Sequence, residues 1–125
     1  MIAVDTSSAI AFLAGETGED IDRISEAMDA RSLRLPPPVI SELLSSPRHA
    51  SLLGEFLSHL PLLPILDGYW DRVGTARALL IGKGLRARLP DALIAQACID
   101  SGVALITRDV DYRHFARWCG LKLAG

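Results

Sequence analysis

The sequence predicts one α/β domain built on a central, mainly parallel sheet flanked by helices. Three observations lead there. Short apolar segments such as Ile2-Ala3-Val4 and Val103-Ala104-Leu105-Ile106 alternate with segments of helical periodicity, the pattern of strands joined by helical crossovers. The 125 residues are 50% hydrophobic, enough for one core and too few for two, so residues 1–125 form a single domain. No internal repeat, low-complexity tract or linker divides the chain.

Taken in order, residues 2–4 form a buried strand that ends at Asp5. Thr6 or Ser7 can then cap a helix through Ala9, Ile10, Phe12 and Leu13, which the stretch from Gly15 to Gly18 breaks. Ile21, Ile24, Ala27 and Met28 recur at helical spacing and predict a helix over 20–30. Leu33-Arg34-Leu35 reads as a strand closed by Pro36-Pro37-Pro38. Pro38 suits the first turn of a helix over 39–45, where its missing N–H costs nothing, and Pro47 stops that helix. Helical patterns follow over 49–60 and 69–81, with 62–66 between them as an apolar strand, and Gly82-Lys83-Gly84 opens a loop. Residues 91–101 are apolar nearly all round, which predicts a buried helix ended by Gly102. A fully buried strand over 103–106 and a last helix over 110–118 complete the chain.

Several function classes drop out. No apolar run approaches the ~18 residues that a membrane span needs, and the N-terminus has no basic lead of a signal peptide, so a cytoplasmic protein is expected. Cys98 and Cys119 form neither a CxxC pair nor a disulfide framework and read as buried free thiols. The net charge of −2 hides an asymmetry: residues 1–71 carry 4 basic and 11 acidic side chains, residues 72–125 carry 9 and 4. A basic half on an acidic protein marks a nucleic-acid surface or simply a solvated face. Its segment Arg77, Lys83, Arg86 and Arg88 runs directly into Pro90 and Asp91, and is the candidate surface for a phosphate backbone.

The acids hold the chemistry. In open parallel sheets, ligands collect beyond the carboxyl ends of the strands. Asp5 follows the first strand at once, and Asp109 lies just past the strand over 103–106. A helix over 91–101 is ~16 Å long, and the returning strand has a matching length, so Asp91 at the helix start meets Asp109 at the strand end. Glu42 belongs to the same edge if the strand over 33–35 is parallel to the others. Singly, each of the aspartates also suits a helix start through the dipole, and Glu42 a solvent face. Together they repel, and such clusters persist by keeping protons or by holding a cation. Oxygen ligands without His or Cys select a hard ion, Mg²⁺ or Mn²⁺. His49, His59 and His114 show no metal-ligand spacing and read as surface residues. No Ser-His-Asp or Cys-His arrangement and no GxxxxGK[ST] occurs.

Asp5-Thr6-Ser7-Ser8-Ala9, Ile40-Ser41-Glu42-Leu43-Leu44, Pro90-Asp91-Ala92-Leu93-Ile94-Ala95 and Thr107-Arg108-Asp109-Val110-Asp111-Tyr112 resemble the ordered motifs of PIN-domain ribonucleases, and VapC-type toxins above all. The likeness covers essentially the whole chain. It implies the PIN-like three-layer fold, with Asp5, Glu42, Asp91 and Asp109 as an acidic quartet for Mg²⁺ or Mn²⁺. Asp111 is either an extra ligand or merely the first turn of the last helix. Thr107 would hold a carboxylate or water by its hydroxyl. Tyr112 stands where the family often has Phe. The resemblance further implies endonucleolytic hydrolysis of RNA by metal-activated water, giving a 5′-phosphate and a 3′-hydroxyl. It also implies tRNA or ribosomal RNA as substrate, a homodimer and a VapB-like antitoxin partner. The rivals are a DNA nuclease on the same scaffold, a phosphoacceptor signalling module, and a non-catalytic binding scaffold. A phosphoacceptor would pair acids at the first strand and place a Lys at the last; Asp5 has no acidic neighbour and Lys122 comes too late.

Overall fold

A computed structural model describes residues 1–46, 48 and 50–125. The chain runs β1 (Ile2–Val4), α1 (Thr6–Leu13), α2 (Glu19–Asp29), β2 (Leu33–Arg34), α3 (Pro37–Leu44), α4 (Ala50–Ser58), α5 (Tyr69–Gly82), α6 (Leu89–Ser101), β3 (Ala104–Ile106), α7 (Tyr112–Cys119) and β4 (Lys122–Leu123). The four strands form one sheet in the order β2-β1-β3-β4, and every pair is parallel. The alternation of short apolar segments with helices therefore yields the expected architecture.

The order of strands decides where a site can lie. From β1 the chain first moves to β2 on one side and later returns to β3 on the other. Outgoing loops thus diverge beyond the carboxyl ends of β1 and β3, leaving the crevice where α/β sheets bind ligands. Val4 pairs with Ile106, and the Asp5 N–H donates to the Ile106 carbonyl at 3.1 Å, so the ladder continues to the first site acid. Between the sheet and its helices, Val4, Leu33, Leu105 and Ile106 bury fully with Ile24, Val39, Ile94 and Phe115.

Helix α6 is the most buried of the helices. Ala92, Ile94, Ala95, Gln96, Ala97 and Cys98 are all shielded, as a sequence apolar all round requires. It packs against α3, α5 and α7, and Gly102 ends it in the left-handed conformation at φ 65°. Both cysteines are free, but only Cys98 is buried; burial pushes its thiol up to about 12, which leaves it inert, while Cys119 is half-buried. Of the histidines, His59 is exposed and His114 half-buried.

Three expectations need correction. Residues 62–66 do not form a strand: one bridge joins Leu62 to Leu35, while Leu62, Ile65 and Leu66 remain exposed. Pro61 and Pro64 flank that bridge, and without N–H groups they cannot extend a ladder. Strand β4 was not expected, because two residues after a helix carry no period; Gly120, at φ 83°, turns the chain back onto the β3 edge. The cap of α1 is Asp5 itself, accepting from the Ser8 N–H at 2.9 Å, rather than Thr6 or Ser7. The expected helix stop at Pro47 and helix start at His49 lie outside the described residues.

Candidate metal centre at the carboxyl ends of β1 and β3

Asp91, Asp109 and Asp111 each bring a carboxylate oxygen within 4.8 Å of the others. Asp91 stands in the first turn of α6 behind Pro90, while Asp109 and Asp111 belong to the turn between β3 and α7. That turn is shaped locally, since the Asp111 N–H donates to Asp109 Oδ1 at 2.9 Å. Helix and returning strand thus bring 91 and 109 to one edge, and Asp111 with them.

Asp5 joins through one hydroxyl. Thr107 Oγ1 donates to Asp5 Oδ2 at 2.6 Å and accepts from the Asp109 N–H at 3.0 Å, tying the end of β1 to the turn that carries two other acids. Ser7 Oγ adds a further bond to Asp5 at 2.8 Å. Despite these donors the Asp5 carboxyl is raised above its ordinary value of 3.8, because burial outweighs them and the charge of Asp109 adds to it.

Glu42 is half-buried on α3 and accepts from Thr6 Oγ1 at 2.5 Å. Its place in the cluster shows in what its charge does. Asp91 is raised above 3.8 by burial first; Arg88 opposes the rise, and the charges of Asp109 and Glu42 add to it. The buried Tyr112 phenol is pushed up by burial and then by Asp5, Asp91, Glu42 and Asp109 together. One hydroxyl feels all four acids.

A second set of contacts holds the surrounding loops. Arg108 clamps the β3–α7 turn to the start of α2, with Nε 2.7 Å and Nη2 3.0 Å from the Asp20 carboxylate and Nη1 3.1 Å from Glu16. The buried Ser8 reaches the same Asp20 at 2.9 Å. Neither this clamp nor the Thr6–Glu42 bond was read from the sequence. The signal available was the run of hydroxyls in Thr6-Ser7-Ser8, which the capping rule absorbed.

The basic segment divides. Arg77 Nε donates to the Ala87 carbonyl at 2.7 Å and so braces the loop, and Lys83 Nζ lies 3.8 Å from the centre of the Trp118 ring. Arg86 and Arg88 turn to the acids: Arg86 Nε is 3.7 Å from Asp111 Oδ2, and Arg88 lies 3.4 Å from Asp91 and 3.7 Å from Asp109. The acids border open surface. Glu42 also lines a hollow of about 480 Å³ between α3, α5 and α6. A separate groove of about 380 Å³ runs among Phe12, Leu13, Met28, Leu52 and Phe56. No described helix is long and apolar enough to cross a membrane.

These shifts set a pH dependence. A carboxyl raised by folding binds more protons in the folded state, so its contribution to stability falls as pH rises from 3.8 through the raised value. Asp20 has the opposite sign: Arg108 holds it down at about 2, and its contribution is lost as pH falls from 3.8 toward 2. The windows do not overlap. In EDTA, urea unfolding between pH 4 and 8 is expected to show stability falling with pH, and Asp91→Asn to flatten that fall. An equal fall in the variant contradicts the assignment.

No curated protein matches the sequence significantly. The chain is similar in fold to the VapBC2 complex from Rickettsia felis bound to a DNA fragment from its promoter, at 23% identity and TM-score 0.79 over 99% of this chain and 98% of the other. It is likewise similar to the DNA-bound VapBC from Salmonella typhimurium, at 22% identity and TM-score 0.74 with the same coverage. The PIN domain family model matches residues 2–117. With that match spanning β1 to β3, α6 and the carboxylate cluster, the chain belongs to the PIN-domain family.

Proposed function

We propose that this protein is a Mg²⁺- or Mn²⁺-dependent endoribonuclease, the toxin of a VapBC-like toxin–antitoxin pair acting in the cytoplasm. The observation that carries the reading is the convergence of Asp91, Asp109 and Asp111 within 4.8 Å, with Asp5 tied to them through Thr107. The donor set fits the ion: it is all carboxylate oxygen, the preference of hard divalent cations. Asp5, Asp91 and Asp109 are the ligands, with Glu42 completing the quartet and Asp111 an additional ligand beside them.

An ion held there lowers the pKa of a bound water and neutralises phosphate charge. The protein's own part is orientation. Thr107 fixes the Asp5 carboxylate by one hydrogen bond and the Asp109 turn by another, so the two acids keep a set spacing. The cap bond from the Ser8 N–H holds the other Asp5 oxygen, Oδ1. Arg86 and Arg88, at the exposed lip of the cluster, meet the RNA backbone, with Arg77 and Lys83 shaping the loop behind them.

The partner reading rests on exposed apolar surface. Ala9 and Ala11 of α1 and Val39 and Leu43 of α3 pack inside, so most of those two helix faces belong to the core. Phe12, Leu13, Leu52 and Phe56 line the groove that remains, and it suits an amphipathic helix of a VapB-like antitoxin. Trp70, 68% exposed, with the exposed Ile65 and Leu89 that line one hollow with it, supports a homodimer face.

Cleavage of total cellular RNA is expected with Mg²⁺ or Mn²⁺ and not in EDTA. Asp5→Asn and Asp91→Asn should each reduce it on the order of 100-fold or more while the protein still folds, with Asp111→Asn milder. Full activity in EDTA, or in Asp91→Asn, sinks the mechanism; cleavage of DNA in preference to RNA selects the DNA-nuclease rival. Replacing Arg86 and Arg88 with Ala should weaken RNA binding and flatten its dependence on salt. An unchanged salt slope returns these residues to a solvated loop. Co-expression with a VapB-like antitoxin encoded beside this chain should relieve growth arrest and yield a stable complex; failure of both removes the toxin–antitoxin assignment.

A further inference from the structure

The arginines of this chain make two kinds of ion pair. Arg72 forks onto Asp100 at 2.9 and 2.7 Å, and Arg108 onto Asp20 at 2.7 and 3.0 Å; both are bidentate and short. Arg88 differs. It straddles two carboxylates, Asp91 at 3.4 Å and Asp109 at 3.7 Å, without a short contact to either, and its side chain is 52% exposed. It also stands at the N-cap of α6, where the helix dipole disfavours a cation. Its partners are Asp91, three residues on in the first turn of the same helix, and Asp109 across the gap from the β3–α7 turn.

We infer that Arg88 is a displaceable counter-cation of the candidate metal centre, sharing Asp91 and Asp109 with the divalent ion, so that guanidinium contact and ion binding exclude each other. The inference rests on the metal reading above. Both oxygens that face Arg88 belong to residues whose carboxylates converge with Asp111 within 4.8 Å, so the guanidinium and an ion draw on one set of acceptors. Loose, half-exposed pairs of this kind give way cheaply, whereas the Arg108–Asp20 fork stays in place. Arg86, 3.7 Å from Asp111, flanks the same acids and repeats the arrangement at the rim. Once displaced, Arg88 swings from the edge that holds the ion with its charge unpaired, beside the phosphate that the ion attracts. Ion entry thereby converts Arg88 from a partner of the protein's own acids into a partner for an anion.

The test is the dissociation constant of Mn²⁺ alone, measured by calorimetry at pH 8 in low salt, for the parent protein and for Arg88→Gln. The variant keeps the apolar stem and drops the charge, and it should bind Mn²⁺ about threefold to tenfold more tightly. Arg34→Gln, whose parent side chain bonds, among the described residues, to the backbone carbonyls of Arg31 and Leu33, controls for net charge and should leave the affinity unchanged. Unchanged or weaker binding in Arg88→Gln, or an equal gain in Arg34→Gln, overturns the inference and leaves the metal reading standing. Absence of Mn²⁺ binding in the parent overturns both. A second measurement needs no folded variant: the Arg88 Nε–H resonance of the parent should move when Mg²⁺ is added, and a resonance that stays fixed refutes displacement.

Discussion

Mutual repulsion among carboxylates is the constraint on which this structure turns. Asp5, Glu42, Asp91 and the pair Asp109 and Asp111 come from four places in the chain, and the fold gathers them at the carboxyl ends of two neighbouring strands. Nearly every polar contact at that edge answers the repulsion. Thr107 and Ser7 donate to Asp5, Thr6 donates to Glu42, the Asp111 amide donates to Asp109, and two arginines lean in from the next loop. The raised carboxyls of Asp5 and Asp91 show that these contacts do not cancel the burial and the like charge. An edge left with that imbalance is suited to a cation.

The supports divide by what they must do. The tie through Thr107 joins β1 to the β3–α7 turn, and the Arg108 fork joins the same turn to α2. Both are short and fix the backbone from which the acids project, so the spacing of Asp5 and Asp109 is set before any ligand arrives. The contacts of Arg86 and Arg88 are long and exposed. Rigid hydrogen bonds position the acids, and loose charges balance them. Such a division preserves geometry while leaving the face of the cluster accessible.

The basic half of the chain looks different once its charges have partners. Arg72 and Arg108 are engaged with carboxylates, Arg77 with a backbone carbonyl and Lys83 with an aromatic ring. What remains at the acidic lip is Arg86 and Arg88, two side chains on a loop turned by Gly84 at φ 76°. A charge count along a sequence therefore overstates the surface available to a polyanion, since it cannot tell a cation that braces the fold from one that faces solvent.

Local rules were enough for the parallel α/β frame and for the convergence of Asp5, Asp91 and Asp109. Apolar period identifies strand and helix, and a residue just past a parallel strand lies at the ligand edge wherever the rest of the chain goes. Glu42 was legible by the same logic, given a parallel strand over 33–35, whereas Asp111 entered as a candidate only through the family resemblance. Tertiary structure alone decided how the acids are held. Thr107 meets Asp5 across 102 positions, Thr6 meets Glu42 across 36, and Arg108 meets Asp20 across 88. It also decided that two residues after α7 complete the sheet as β4. Each of these turns on a partner distant in the chain, and a hydroxyl or a guanidinium carries no local period that would announce which partner it will find.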